Sequence, residues 1–158
     1  MAEKRAPEDP DPEEENLDEP VEVAGVPLAV WAVRLSLFLL LQGAIVLASY
    51  AYYGFGTDPS HFGPGFRLDP IHASVNLVWG LAGSIIGFFA PRFSIDYLLA
   101  FALFFTALAG FGTFSPGHLP MHLGPWSNLT DWLLGLAAWA VAIYALWQAS
   151  IESEPPEA

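Results

Sequence analysis

Outside its two ends, this chain of 158 residues offers little that can do chemistry: four histidines, His61, His72, His118 and His122, and four acids, Asp58, Asp69, Asp96 and Asp131. Imidazole and carboxylate together suit zinc, copper or a proton relay. The spacing works against a ready-made metal site. His118 and His122 stand at the i, i+4 interval of a helical ligand pair, but Pro120 lies between them, so one helical face does not hold both rings. Haem would need histidines facing one another within helices, and only His72 falls near a helix. The four histidines are therefore weak metal candidates, and no cofactor is expected. The absence of cysteine excludes disulfides, thiolate catalysis and thiolate-bound metal. With no nucleophile–base pair, phosphate loop or basic nucleic-acid patch, the expectation is a non-enzymatic protein with no nucleic-acid partner.

Asp69, Asp96 and Asp131 each have a plain structural use. Asp69 precedes Pro70 as an N-cap before a proline at the first helical position, Ser94-Ile95-Asp96 puts a cap and an acid in one first turn, and Asn128 with Asp131 resembles a capping box. The alternative is an intramembrane carboxylate that binds a proton or an ion. Asp131 is the natural candidate for that role because it lies about one turn inside its helix. Arg34 is the one cation well within an apolar stretch, roughly 10 Å from its start by helical rise and within snorkelling reach of the interface. Asp96 begins a later stretch on the same side, so an Arg34–Asp96 ion pair is expected.

Those residues need elements to position them, and the composition says which kind. Hydrophobic residues make up 54% of the chain and charged ones 14%, outside the range of an ordinary soluble domain. The net charge of −12 comes from the ends: residues 1–22 hold ten acids, and Glu152, Glu154 and Glu157 lie in the last seven positions. Such segments bury too little apolar surface to offset ordering entropy, so residues 1–25 and 149–158 are expected to be disordered acidic tails. Between them, residues 26–148 are expected to form an all-α membrane domain. Its transmembrane helices are the four stretches Val26 to Tyr53, Pro70 to Ala90, Ser94 to Phe114 and Ser127 to Trp147, each long enough to cross a hydrocarbon core of ~30 Å. The acidic start lacks a basic signal-peptide region, so the first apolar helix should serve as an uncleaved signal.

Orientation follows from Lys4, Arg5, Arg34 and Arg92, which share one side, against Arg67 on the other. The positive-inside rule then places both termini of this multi-pass protein in the cytoplasm and the loops carrying the histidines outside the cell membrane. Two aromatic belts are expected: Trp31, Tyr97, Tyr144 and Trp147 on the cytoplasmic side, and Tyr50, Tyr52, Tyr53 and Trp126 on the other.

Two motifs recur in the same order. Gly-Phe-Gly-Thr at Gly54 returns at Gly110, and the Gly-Leu-Ala of helix 2 at Gly80 returns in helix 4 at Gly135, with offsets of 56 and 55 residues. This pattern predicts two tandem helical hairpins of the same topology, with positive-φ glycines at both Gly-Phe-Gly-Thr corners. It also puts Asn76 and Asp131 at equivalent points, four residues before the matched glycines, facing one another across the bundle. Gly83-x-x-x-Gly87, Ala102-x-x-x-Thr106-x-x-x-Gly110 and Ala138-x-x-x-Ala142 are small-residue seams of the kind that pack transmembrane helices.

A helix ending in Gly-Phe, an Asn-containing helix with Gly-Leu-Ala-Gly and a last helix entered through "SNLTDWLLGLAA" give residues 28–147 a likeness to a known group. The order resembles small bacterial four-helix membrane proteins of an uncharacterised domain-of-unknown-function family. Members carry a histidine one turn before the helical glycine, where Asn76 and Asp131 stand here. The resemblance implies a fold and no activity. The function expected is that of an accessory or interaction subunit, its partners the lipid bilayer and other membrane proteins or further copies of itself. The alternatives are a small transporter or channel with a polar site at Asn76 and Asp131, and a metal-binding protein or enzyme built on the outer histidines.

Overall fold

All four apolar stretches are helical in the computed structural model, which describes residues 22–23, 26–54, 69–115, 121 and 124–152. Two short strands, β1 (Glu22–Val23) and β2 (Val26–Pro27), precede α1 (Leu28–Tyr53); α2 (Pro70–Phe89), a 3₁₀ turn (Pro91–Phe93), α3 (Ser94–Phe114) and α4 (Pro125–Glu152) follow. The shortest helix, α2, has 20 residues, about 30 Å of rise, enough to match a hydrocarbon core. Each of the four is long and apolar enough to cross a membrane. Phe38, Leu41, Ile45, Val78, Leu81, Leu103, Leu133, Leu136 and Ile143 stand exposed on their outer faces. So much outward apolar surface fits lipid as the surrounding solvent.

Capping chemistry sets the helix starts, with two departures from expectation. Asp69 caps α2, its Oδ1 accepting the His72 backbone N–H at 2.8 Å, with Pro70 opening the helix. Ser94 is no cap, because the 3₁₀ turn runs directly into α3 and leaves its hydroxyl buried without a hydrogen-bond partner. Asp96 does lie in the first turn. α4 starts two residues earlier than expected, at Pro125, which suits a first helical position, and runs past Trp147 to Glu152. Asn128 and Asp131 thus lie inside the helix and form no capping box. The expected tails also give way at their inner edges: Val23 is buried, and its carbonyl accepts from Trp31 Nε1 at 3.4 Å. The rest of both acidic tails lies outside the described residues.

α1 packs chiefly on α2, and α3 on α4. In the first pair, Gly43 lies on Ala73 and Leu77, Gly80 on Leu40, and Gly87 on Val33, an antiparallel register with glycine at the closest approaches. A Cβ on Gly80 would enter the Leu40 backbone. In the second pair Gly135 lies against Thr106 and Ala102, and Ala138 and Ala142 are buried, so the small-residue seams are used for packing except at Gly110, where a Cβ would meet open space.

The two Gly-Phe-Gly-Thr stretches differ. Gly54 ends α1 at φ 97°, whereas Gly110 to Thr113 remain helical within α3, so the positive-φ corner holds only at the first. Thr113 has a different use: its hydroxyl accepts from Asn128 Nδ2 at 2.9 Å and Trp132 Nε1 at 3.1 Å, tying the end of α3 to the start of α4.

Where α1, α2 and α3 meet, the Ser36 and Tyr97 hydroxyls lie 2.9 Å apart, and Tyr97 donates to the Trp79 carbonyl at 3.0 Å. Gly83 makes room for both side chains. Trp79 packs beside Tyr97, Phe101, Phe104 and Phe105. Tyr97 is consequently buried, and Tyr50 is buried beside Val46 and Ala73, so neither belongs to an interfacial belt, while Tyr52, Tyr53, Trp126 and Trp147 are exposed at the helix ends. Hydroxyls that can find partners inside the bundle need no headgroup layer.

A buried polar row as the candidate functional site

At the end of the bundle where α1 and α3 finish and α2 and α4 begin, the first turns of α2 aim two polar side chains inward. His72 and Asn76 stand four residues apart, hence on one helical face, and both are buried. His72 Nε2 lies 3.3 Å from Asp131 Oδ1 of α4, with side-chain exposures of 0% and 2%. Asn76 Nδ2 donates to Gln42 Oε1 of α1 at 3.0 Å. The result is a row of Gln42, Asn76, His72 and Asp131, drawn from three helices.

Asn76 and Asp131 are both buried toward one end of the bundle, and the partner of each is a residue other than the one expected. Asp131 takes His72, one turn from Asn76, and Asn76 takes Gln42. The row is incompletely paired. Asn76 Oδ1, Asp131 Oδ2 and both ring nitrogens of His72 are buried without a hydrogen-bond partner. The His72–Asp131 contact therefore brings the groups within ion-pair distance without an aligned N–H···O bond. Buried polar atoms are nearly always satisfied in folded proteins, so several orphans in one place point to a site with further chemistry.

Arg34 and Asp96 do not pair. Both side chains are exposed on their helices, and the Arg34 guanidinium lies 5.2 Å from the ring centroid of Trp31, three residues before it. A cation near a helix end can reach the interface by itself and gain from an aromatic face, so it needs no buried anion. Of the metal candidates, His72 is in the row, and His61, His118 and His122 lie outside the described residues. Among the described residues no three His, Asp or Glu side chains gather as a metal site.

Sequence reasoning missed Gln42 altogether and undervalued His72. A signal was present in both cases. Gln42 interrupts the run from Leu37 to Leu41 and Ala44 to Leu47 with an amide, and His72 with Asn76 makes an i, i+4 polar pair in an otherwise apolar segment. Comparison with known proteins finds no matching family model, no similar curated protein and no similar solved structure.

Proposed function

We propose that this chain is a multi-pass protein of the cell membrane, with both termini in the cytoplasm, that works without catalysis as a small transporter or channel for ions. Its working part is the row Gln42, Asn76, His72 and Asp131. One observation carries the reading: Asp131 and His72 meet, buried, within helices long enough to span a bilayer, and leave polar atoms unpaired around them. Ionisable groups inside a membrane are costly and usually functional. Polar groups kept only as packing glue would be expected to satisfy one another. Descent from a duplicated helical hairpin remains part of this proposal, supported by the repeated motifs and by the packing of each helix pair on itself.

The test is flux through reconstituted liposomes. Wild-type protein should dissipate an imposed gradient of a small ion, and Asp131→Asn should lose that flux while keeping its helical content and dispersity in detergent. Protein that folds and inserts yet moves no small ion would return the chain to the role of an accessory or interaction subunit.

A further inference from the structure

Among the described residues, the charge on the His72–Asp131 pair has few ways to be balanced. With a carboxylate and a neutral imidazole, the pair carries one net negative charge inside the bundle. The described groups beside it offer no cation: Val46 and Tyr50 of α1 pack on Ala73, next to His72, and Asp69 caps the same helix. Among the described residues, α3 has no ionisable group at this end, and α4 has none there besides Asp131. An uncompensated charge in such surroundings is expensive.

A dehydrated metal cation is poorly provided for. Hard cations take about six or more oxygen ligands, whereas the unpartnered oxygens of the row are Asp131 Oδ2 and Asn76 Oδ1. One proton is enough. It forms an N–H bond on His72 or an O–H bond on Asp131, and either product leaves the pair neutral.

We propose that His72 and Asp131 bind and release a single proton as one unit, which makes the proton the ion handled by this site. The donor and acceptor is bulk water: uptake breaks an O–H bond of hydronium and forms the N–H or O–H bond on the pair, and release reverses it. The unpartnered His72 Nδ1 and Asp131 Oδ2 are the atoms left to exchange with water, and Asn76, held by Gln42, borders them one turn away. This inference rests on the row being a working site, but its test requires no transport.

The experiment is infrared difference spectroscopy of the full-length protein in lipid, titrated with acid and base in H₂O and D₂O. A carboxyl or carboxylate band and an imidazole ring band should change over the same pH interval, as one step, with an isotope shift. The carboxyl change should be lost in Asp131→Asn and the imidazole change in His72→Gln. Because the chain holds sixteen other acids and three other histidines, a variant that fails to fold is replaced by a milder assignment. Asp131→Glu keeps a carboxyl and shifts its band, and ring-labelled histidine is read in a chain with His61, His118 and His122 changed to Gln. Two bands with separate midpoints, or no change attributable to either group, would overturn the shared proton. So would a signal that follows the replacement of sodium by choline at constant pH, which would mark a metal cation as the occupant. Loss of flux in the liposome test with this one-step titration intact would reject transport alone.

Discussion

His72 Nε2 and Asp131 Oδ1, 3.3 Å apart and shielded from solvent, join the α1–α2 pair to α4 by a contact between side chains 59 positions apart in the chain. A tie of this kind should be energetically coupled. In a double-mutant cycle with His72→Gln and Asp131→Asn, unfolding of the purified protein is expected to show a coupling on the order of 1–2 kcal/mol, the upper part of the range for polar contacts between membrane helices. Strict additivity would mean that the two groups do not interact.

Close packing gives a sharper steric expectation. A Cβ on Gly83 would enter the space of Ser36 Oγ and the Tyr97 ring, so Gly83→Ala should destabilise the bundle by about 1–3 kcal/mol, as overpacking does. Adding Ser36→Ala and Tyr97→Phe, which removes the hydroxyls crowding that point, should recover part of the loss. Equal stability of Gly83→Ala and wild type in thermal or denaturant unfolding would show that the three helices do not meet there.

For Arg34 and Asp96, the structure reverses the expectation drawn from sequence. Because the two side chains form no ion pair, Arg34→Ala and Asp96→Ala should be additive in unfolding measurements. Trp31→Ala should alter the effect of Arg34→Ala, since the guanidinium lies over that ring. Coupling between Arg34 and Asp96 with none to Trp31 would contradict this arrangement.

Topology can be read with thiols, because the chain has no cysteine of its own. The proposed orientation, with both termini in the cytoplasm, predicts that Tyr53→Cys reacts with an impermeant reagent applied to intact cells and that Ala149→Cys reacts only after lysis. The opposite pattern would invert the orientation while leaving the fold unchanged.

The class of fold was legible because it depends on long-range statistics: apolar length fixes spans, and Asp69-Pro70 fixes a helix start through local backbone chemistry. α3 was placed at both ends, and α2 to within one residue. The site was legible only in part. Sequence marks Asp131 and Asn76 as unusual in their surroundings, but choosing partners requires the rotation of each helix about its axis, which the packing of Gly80 on Leu40 and Gly135 on Thr106 decides. Tyr97 was misplaced for the same reason. An aromatic ring near a helix end suits an interface, and nothing local reveals that Ser36 and the Trp79 carbonyl stand ready to receive its hydroxyl.

The most direct measurement of the central claim is crosslinking of positions 72 and 131 in native membranes. The double variant His72→Cys with Asp131→Cys should be bridged within one chain by a short bifunctional thiol reagent, while each single variant, still folded and inserted, should not be. Absence of the bridge, together with modification of Asp131→Cys by a lipid-soluble probe that reaches only the outer surface of the bundle, would place Asp131 toward lipid and contradict the site.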